Sequence, residues 1–97
     1  MSVPSSWRLD GFGEGIDRWK AQESPDAELV GRVIRWSLTR LDDPYSGVQR
    51  QAGFDNLWFG AIPGTFRDDE IVTCSYFIWD QEHVVACNSY ATLSWPV

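Results

Sequence analysis

Few side chains in this sequence could carry acid–base or phosphate chemistry. His83 is the one histidine and could titrate near neutrality as a general acid or base. It falls in the polar break Asp80-Gln81-Glu82-His83, which reads as a tight turn between two strands, so it is read as an exposed turn residue. Arg50 and Arg67 flank a predicted strand and are the candidates for contact with a phosphate or an acidic partner. Two cysteines, Cys74 and Cys87, are too few for a disulfide framework or a four-thiolate zinc site. No metal or cofactor is expected, and no constellation for small-molecule catalysis is present.

The aromatic residues point elsewhere. Six tryptophans (Trp7, Trp19, Trp36, Trp58, Trp79 and Trp95) exceed what the core of a 97-residue chain needs. Trp36 falls to one side of a helix's apolar stripe, and Trp79 on the strand face opposite Tyr76. One or two of the six should be partly exposed, as is common at protein interfaces. Trp36 and Trp79 are therefore the candidate partner contacts.

Charge narrows the partners. The net charge is −6 and the sequence pI about 4.5, which opposes unassisted binding to a phosphate backbone. All eight basic residues lie within residues 1–67, while Asp68, Asp69, Glu70, Asp80 and Glu82 follow with no cation among them. A nucleic-acid partner is thus disfavoured and a protein partner preferred. Hydrophobic residues make up 43% and charged residues 23%, a globular balance for one domain. No apolar run approaches the ~20 residues of a membrane span. Met1-Ser2-Val3-Pro4-Ser5-Ser6-Trp7 does not read as a secretory signal, and a cytoplasmic protein is expected.

The elements that would position these residues divide near Asp42-Asp43-Pro44-Tyr45-Ser46-Gly47, a cluster of turn formers. Before it, residues 7–12 alternate as a short strand and residues 14–22 suit a short helix with Ile16 and Trp19 on one face. Ser24-Pro25 reads as an N-cap and first helical residue, opening a helix from about Pro25 to Leu41. Val30, Val33, Ile34 and Leu41 form its apolar stripe, and Arg32 and Arg35 its solvated face. After Gly53 the period changes to that of strands: residues 57–62 stop at Pro63-Gly64, and residues 71–79 put Val72, Cys74, Tyr76 and Ile78 on one face. In residues 84–93, Val85, Cys87, Ala91 and Leu93 share a face, with Pro96 closing the strand. Short connections make this an antiparallel meander, and helices on one face give an α+β domain spanning residues 1–97. With a two-residue turn, Cys74 lies opposite Ser89 and Cys87 opposite Tyr76. The thiols are then diagonal neighbours with α-carbons about 7–8 Å apart, too far for an unstrained bridge, so both are expected free.

This order of elements resembles the RelE/ParE superfamily of toxins from type II toxin–antitoxin systems. The residues that carry the resemblance are Leu38-Thr39-Arg40-Leu41-Asp42-Asp43-Pro44-Tyr45-Ser46-Gly47, similar to the family's helix end and loop, and three strands. These are Leu57-Trp58-Phe59-Gly60-Ala61-Ile62-Pro63-Gly64, Val72-Thr73-Cys74-Ser75-Tyr76-Phe77-Ile78 and Val84-Val85-Ala86-Cys87. The likeness runs over roughly residues 7–95. It implies a cytoplasmic toxin neutralised by an antitoxin-like protein and acting on RNA or on the replication machinery. Members that cut messenger RNA are usually basic, with an arginine near the start of the third strand and a His-Tyr or Arg/Lys-Tyr ending. Here those places read Asp68-Asp69-Glu70-Ile71-Val72-Thr73 and Ser94-Trp95-Pro96-Val97. Weak or absent nuclease activity is therefore expected, and a non-catalytic interaction module is the alternative.

Overall fold

The computed structural model describes residues 7–94. Trp95, the strand stop expected at Pro96 and the leading residues 1–6 lie outside them. Two helices cover one face of a five-stranded mixed sheet, the α+β arrangement expected. The chain runs β1 (Arg8–Asp10), α1 (Phe12–Glu23), α2 (Ala27–Leu38), β2 (Gln49–Arg50), β3 (Leu57–Ala61), β4 (Glu70–Trp79) and β5 (Val84–Ser94). The sheet order is β1-β5-β4-β3-β2, with β1 parallel to β5 and the other pairs antiparallel. The meander of residues 57–62, 71–79 and 84–93 is present, and Ile62, just past β3, still donates its N–H to Val72 O at 2.9 Å. The two-residue β2 is an addition, too short to carry a period-2 signal.

The start of α2 differs from expectation for a local reason. Ser24 closes α1 in the left-handed conformation at φ 48°, its N–H bonded to Lys20 O, so it cannot also open the next helix. Asp26 is the N-cap instead, accepting the Leu29 N–H at 2.9 Å, with Glu28 in the first turn. The α-helical hydrogen bonding ends at Leu38, and Thr39–Leu41 tighten into a 3₁₀ turn.

The buried face of α2 follows its apolar stripe only in part. Val33 is fully buried, Val30 packs against the core and Leu41 is half-buried, as expected. Ile34 and the neighbouring Leu38 are exposed, while the polar Ser37 and, in the 3₁₀ turn, Arg40 are buried. Each finds partners on the sheet side. Ser37 Oγ donates to Val33 O at 2.7 Å, which leaves it to accept from the Tyr90 hydroxyl. Arg40 is 4% exposed and reaches Tyr76 Oη (3.0 Å), Ser46 O (2.6 Å) and Thr39 Oγ1 (2.9 Å), with Trp36's ring 4.3 Å from its guanidinium carbon.

On β4, Val72, Cys74, Tyr76 and Ile78 face the core as expected. On β5 a bulge at Asn88 breaks the alternation: Ser75 pairs with Ser89 but Tyr76 with Cys87. The β4–β5 turn has two central residues, with His83 N–H on Asp80 O at 3.3 Å, so Cys87 does lie opposite Tyr76. Beyond the bulge every side chain changes sides. Cys74 therefore faces Tyr90 rather than Ser89, and Tyr90 and Thr92, not Ala91 and Leu93, look toward the helices. Trp19 Nε1 donates to Thr92 Oγ1 at 2.9 Å, seating α1 on β5. Gly15 permits that approach, since a β-carbon there would stand 2.9 Å from Cys87 Sγ.

Both cysteines are thiols. Burial pushes the Cys74 thiol well up, while a hydrogen bond from Cys74 lowers the half-buried Cys87. Cys87 should therefore be alkylated first in the native protein, and both thiols should react once the protein is unfolded without reductant. A mass two hydrogens light, with neither thiol reactive, would contradict this. Tyr76→Phe should destabilise the protein by ~1–3 kcal/mol in urea unfolding, because the buried Arg40 guanidinium and Pro44 carbonyl each lose a partner.

Candidate functional site

Alternation along the strands decides what the uncovered face of the sheet carries. Opposite residues share a face, so the rows on that side run Leu57–Phe77–Ala86, Phe59–Ser75–Ser89, Ala61–Thr73–Ala91 and Ile71–Leu93, with Trp79 beside Val84. None of these side chains on β3, β4 and β5 is charged. Both helices lie on the other side with the core. Antiparallel sheets with one solvated face ordinarily make that face polar. Here the polar side chains are few: Asn88 Nδ2 lies 2.9 Å from Ser75 Oγ, Ser75 Oγ lies 3.3 Å from Ser89 Oγ, and Thr73 Oγ1 donates to Ala91 O at 3.3 Å. Phe77 and Trp79 stack at 6.2 Å with 16° between their planes, and Trp79 is 47% exposed.

Charge collects around this face instead. Asp68 and Asp69, both at positive φ, are the two central residues of the β3–β4 turn, closed by reciprocal Arg67–Glu70 backbone bonds of 2.9 Å. Asp80 and Glu82 lie in the β4–β5 turn at the other end. Arg8 and Asp10 share the open face's register on the β1 edge.

The four candidate residues do not converge. Arg67 holds Asp26 at 2.7 Å, and Asp26 in turn is kept below the usual carboxylate range by the Leu29 N–H and then by Arg67. Arg50 sits on β2 opposite Trp58, in the register of the core face rather than the open one. Trp36 is half-buried against Arg40 and Tyr76. Trp79 alone lies on the open face. A site that gathers cations around a phosphate is not assembled from these residues.

His83 is an exposed turn residue, as expected, and its ring stacks on Trp7 at 3.9 Å. Trp7 also meets Tyr45 edge-on at 6.2 Å, and Tyr45 meets Trp58 at 5.1 Å. The Tyr45 hydroxyl donates to Asp80 Oδ1 at 2.8 Å, tying the Asp43–Gly47 turn to the end of β4. Sequence reasoning did not single out Arg40, Tyr45 or Tyr76. The available signal was an arginine four residues after Trp36 on a helix whose sheet partner carries a mid-strand tyrosine.

All three tyrosines are held neutral. Burial and then the Asp80 hydrogen bond push Tyr45 up to about 12, and burial raises Tyr76 and Tyr90. A folded value raised above the unfolded ~10 means stability is complete below that pH and is lost as pH rises through the folded values. Ultraviolet titration of the native protein should show no tyrosinate near pH 10, the first appearing about pH 12 or with alkaline unfolding. A tyrosine ionising at its ordinary value in the folded state would contradict this.

No protein-family model matches this chain. No curated protein matches it either. Among solved structures, a double arginine-to-alanine mutant of the Escherichia coli toxin RelE in the free state has a similar fold, with a TM-score of 0.61 and 12% sequence identity. The similarity covers 89% of this chain and 82% of that one. Two helices on one side of a mixed five-stranded sheet, joined in this order, are a RelE-like fold.

Proposed function

We propose that this chain is the toxin component of a bacterial toxin–antitoxin pair, working by binding protein and having little or no nuclease activity of its own. The likeness to RelE, itself described as a toxin, supports the first part at the level of fold. The observation that carries the second is the uncharged open face of β3, β4 and β5. Cleavage of RNA needs a base for the 2′-hydroxyl, an acid for the leaving oxygen and cations on a phosphate whose charge grows in the transition state. Each missing donor to that charge costs ~10²–10³ in rate. Each missing acid or base costs a further ~10²–10⁴. The cation nearest the start of β4, Arg67, is engaged by Asp26.

A protein partner in the role of an antitoxin fits the same surface, with exposed Trp79 and the flanking Phe77 as its aromatic part. Among the described residues no helix is long and apolar enough to cross a membrane. Two free thiols suit the reducing cytoplasm in which such a pair would act.

Incubation of the purified protein with ribosomes and messenger RNA should leave the message intact. Expression without a partner in a bacterial host should still slow growth, whereas unimpaired growth would favour a non-toxic interaction module on the same fold. Site-specific cleavage in the ribosomal assay, lost on Arg50→Ala or Arg67→Ala, would overturn the non-nuclease reading.

A further inference from the structure

We propose that the open sheet face is a docking site for a cationic amphipathic helix of another protein, laid along β4. The inference rests on the protein-binding reading above and names the chemistry of the partner. Its anchor is a 420 Å³ groove at the Leu93 end of the face. The row of small residues through Ala61 and Thr73 forms the floor, between Phe59 on one side and Ile71 and Leu93 on the other, with Val48 at the margin. No lining side chain is charged. Leu93 is 50% exposed. A groove of this volume accepts large aliphatic or aromatic anchors.

Three physical arguments select the occupant. An extended peptide lying on this face would leave its own N–H and C=O groups against apolar side chains, with only Thr73, Ser75, Asn88 and Ser89 to answer them. A helix satisfies its backbone internally and needs only an apolar stripe. The chain carries a net charge of −6, and the turns at the two ends of β4 carry Asp68, Asp69, Asp80 and Glu82. A second copy would bring the same acidic margins face to face, so like-charge repulsion disfavours self-association. A partner rich in lysine and arginine meets carboxylates at both ends, where Asp68, Asp69, Asp80, Glu82 and Asp10 outnumber Arg8 and the Asp26-paired Arg67 on the same margins. The exposed Trp79 ring offers a surface for one of its cations.

The spacing is specific. Thr73 in the groove and Trp79 are six residues apart on one strand, ~20 Å. A helix covers that distance in ~13 residues. The partner's apolar anchor and stacking cation should be separated accordingly, with polar side chains between them over Ser75 and Ser89.

Two synthetic helical peptides with the same leucine stripe, one with a lysine polar face and one with a glutamate face, provide the test. Titrated into the full chain and followed by amide chemical shifts, the lysine peptide should bind, with shifts centred on β3, β4 and β5. The glutamate peptide should bind at least about tenfold more weakly. Leu93→Lys should weaken the lysine peptide by about tenfold or more, Trp79→Ala by a few-fold, and Leu38→Lys on the exposed side of α2 not at all. Trp79→Ala serves as the independent variant should Leu93→Lys unfold. Equal affinity for the two peptides, shifts centred on α2, or no binding would overturn the proposal. So would a wild-type dimer in sedimentation that Leu93→Lys converts to a monomer. Messenger cleavage in the ribosomal assay would instead overturn the non-nuclease reading while peptide binding stood, so the two failures are separable.

Discussion

Arg40 is a cation buried at the junction of α2, the Asp43–Gly47 turn and the middle of the sheet, and it makes no ion pair among the described residues. Moving a guanidinium out of water costs several kcal/mol, so its surroundings must return nearly that much. They do so with the π-face of Trp36 and with oxygen acceptors from Thr39, Ser46 and Tyr76. Hydrogen bonds to a charged group contribute ~1.5–3 kcal/mol each, and a desolvated cation–π contact about 2. The balance leaves little net stability but a strong geometric requirement. Tyr76 cannot slide along its strand without orphaning both Arg40 and the Pro44 carbonyl. The network therefore holds the turn, the helix end and the sheet in one relative position.

That position determines which side of the sheet is left uncovered. Each helix has 12 residues, and both are needed to cover the core face of β4 and β5. Nothing among the described residues remains to cover the other face, and the bulge at Asn88 then decides what it displays. Before the bulge β5 places Val85 and Cys87 inward; after it Tyr90 and Thr92 take over, which turns Ala91 and Leu93 outward beside Ile71 and Thr73. One inserted residue thus gives Tyr90 to Ser37 and Thr92 to Trp19, and moves two apolar residues onto the exposed side. The same irregularity that seats the helices builds the groove.

The arginines do not converge on the open face. Cations are present, but the fold disperses them: Arg40 inside, Arg67 on Asp26, Arg32 on Glu28 and Arg50 on β2. A phosphate site depends on cations converging on one point. A RelE-like fold is reached at 12% identity because layer order and strand pairing tolerate wide substitution within an apolar pattern. A charge constellation tolerates far less.

Residue pattern alone determined the three long strands, the presence of both helices and the core face of β4, because each follows from local period. The thiols are free as expected, but the register expected to hold them apart changes at the bulge, where Cys74 meets Tyr90. The pattern also placed Trp79 on the exposed side, since alternation along an unbroken strand carries from Tyr76 to Trp79. The polar part of the buried face at the end of α2 and in the 3₁₀ turn was decided by tertiary structure, where Ser37 and Arg40 are buried because Tyr90 and Tyr76 answer their polar atoms across the core. The facing of Ala91 and Leu93 was decided there too. A bulge leaves no mark in hydrophobic periodicity, and its one-residue slip inverts every side chain that follows. The open face was thus half legible: its aromatic end lies on β4, where the period holds, and its groove needs β5, where the period breaks.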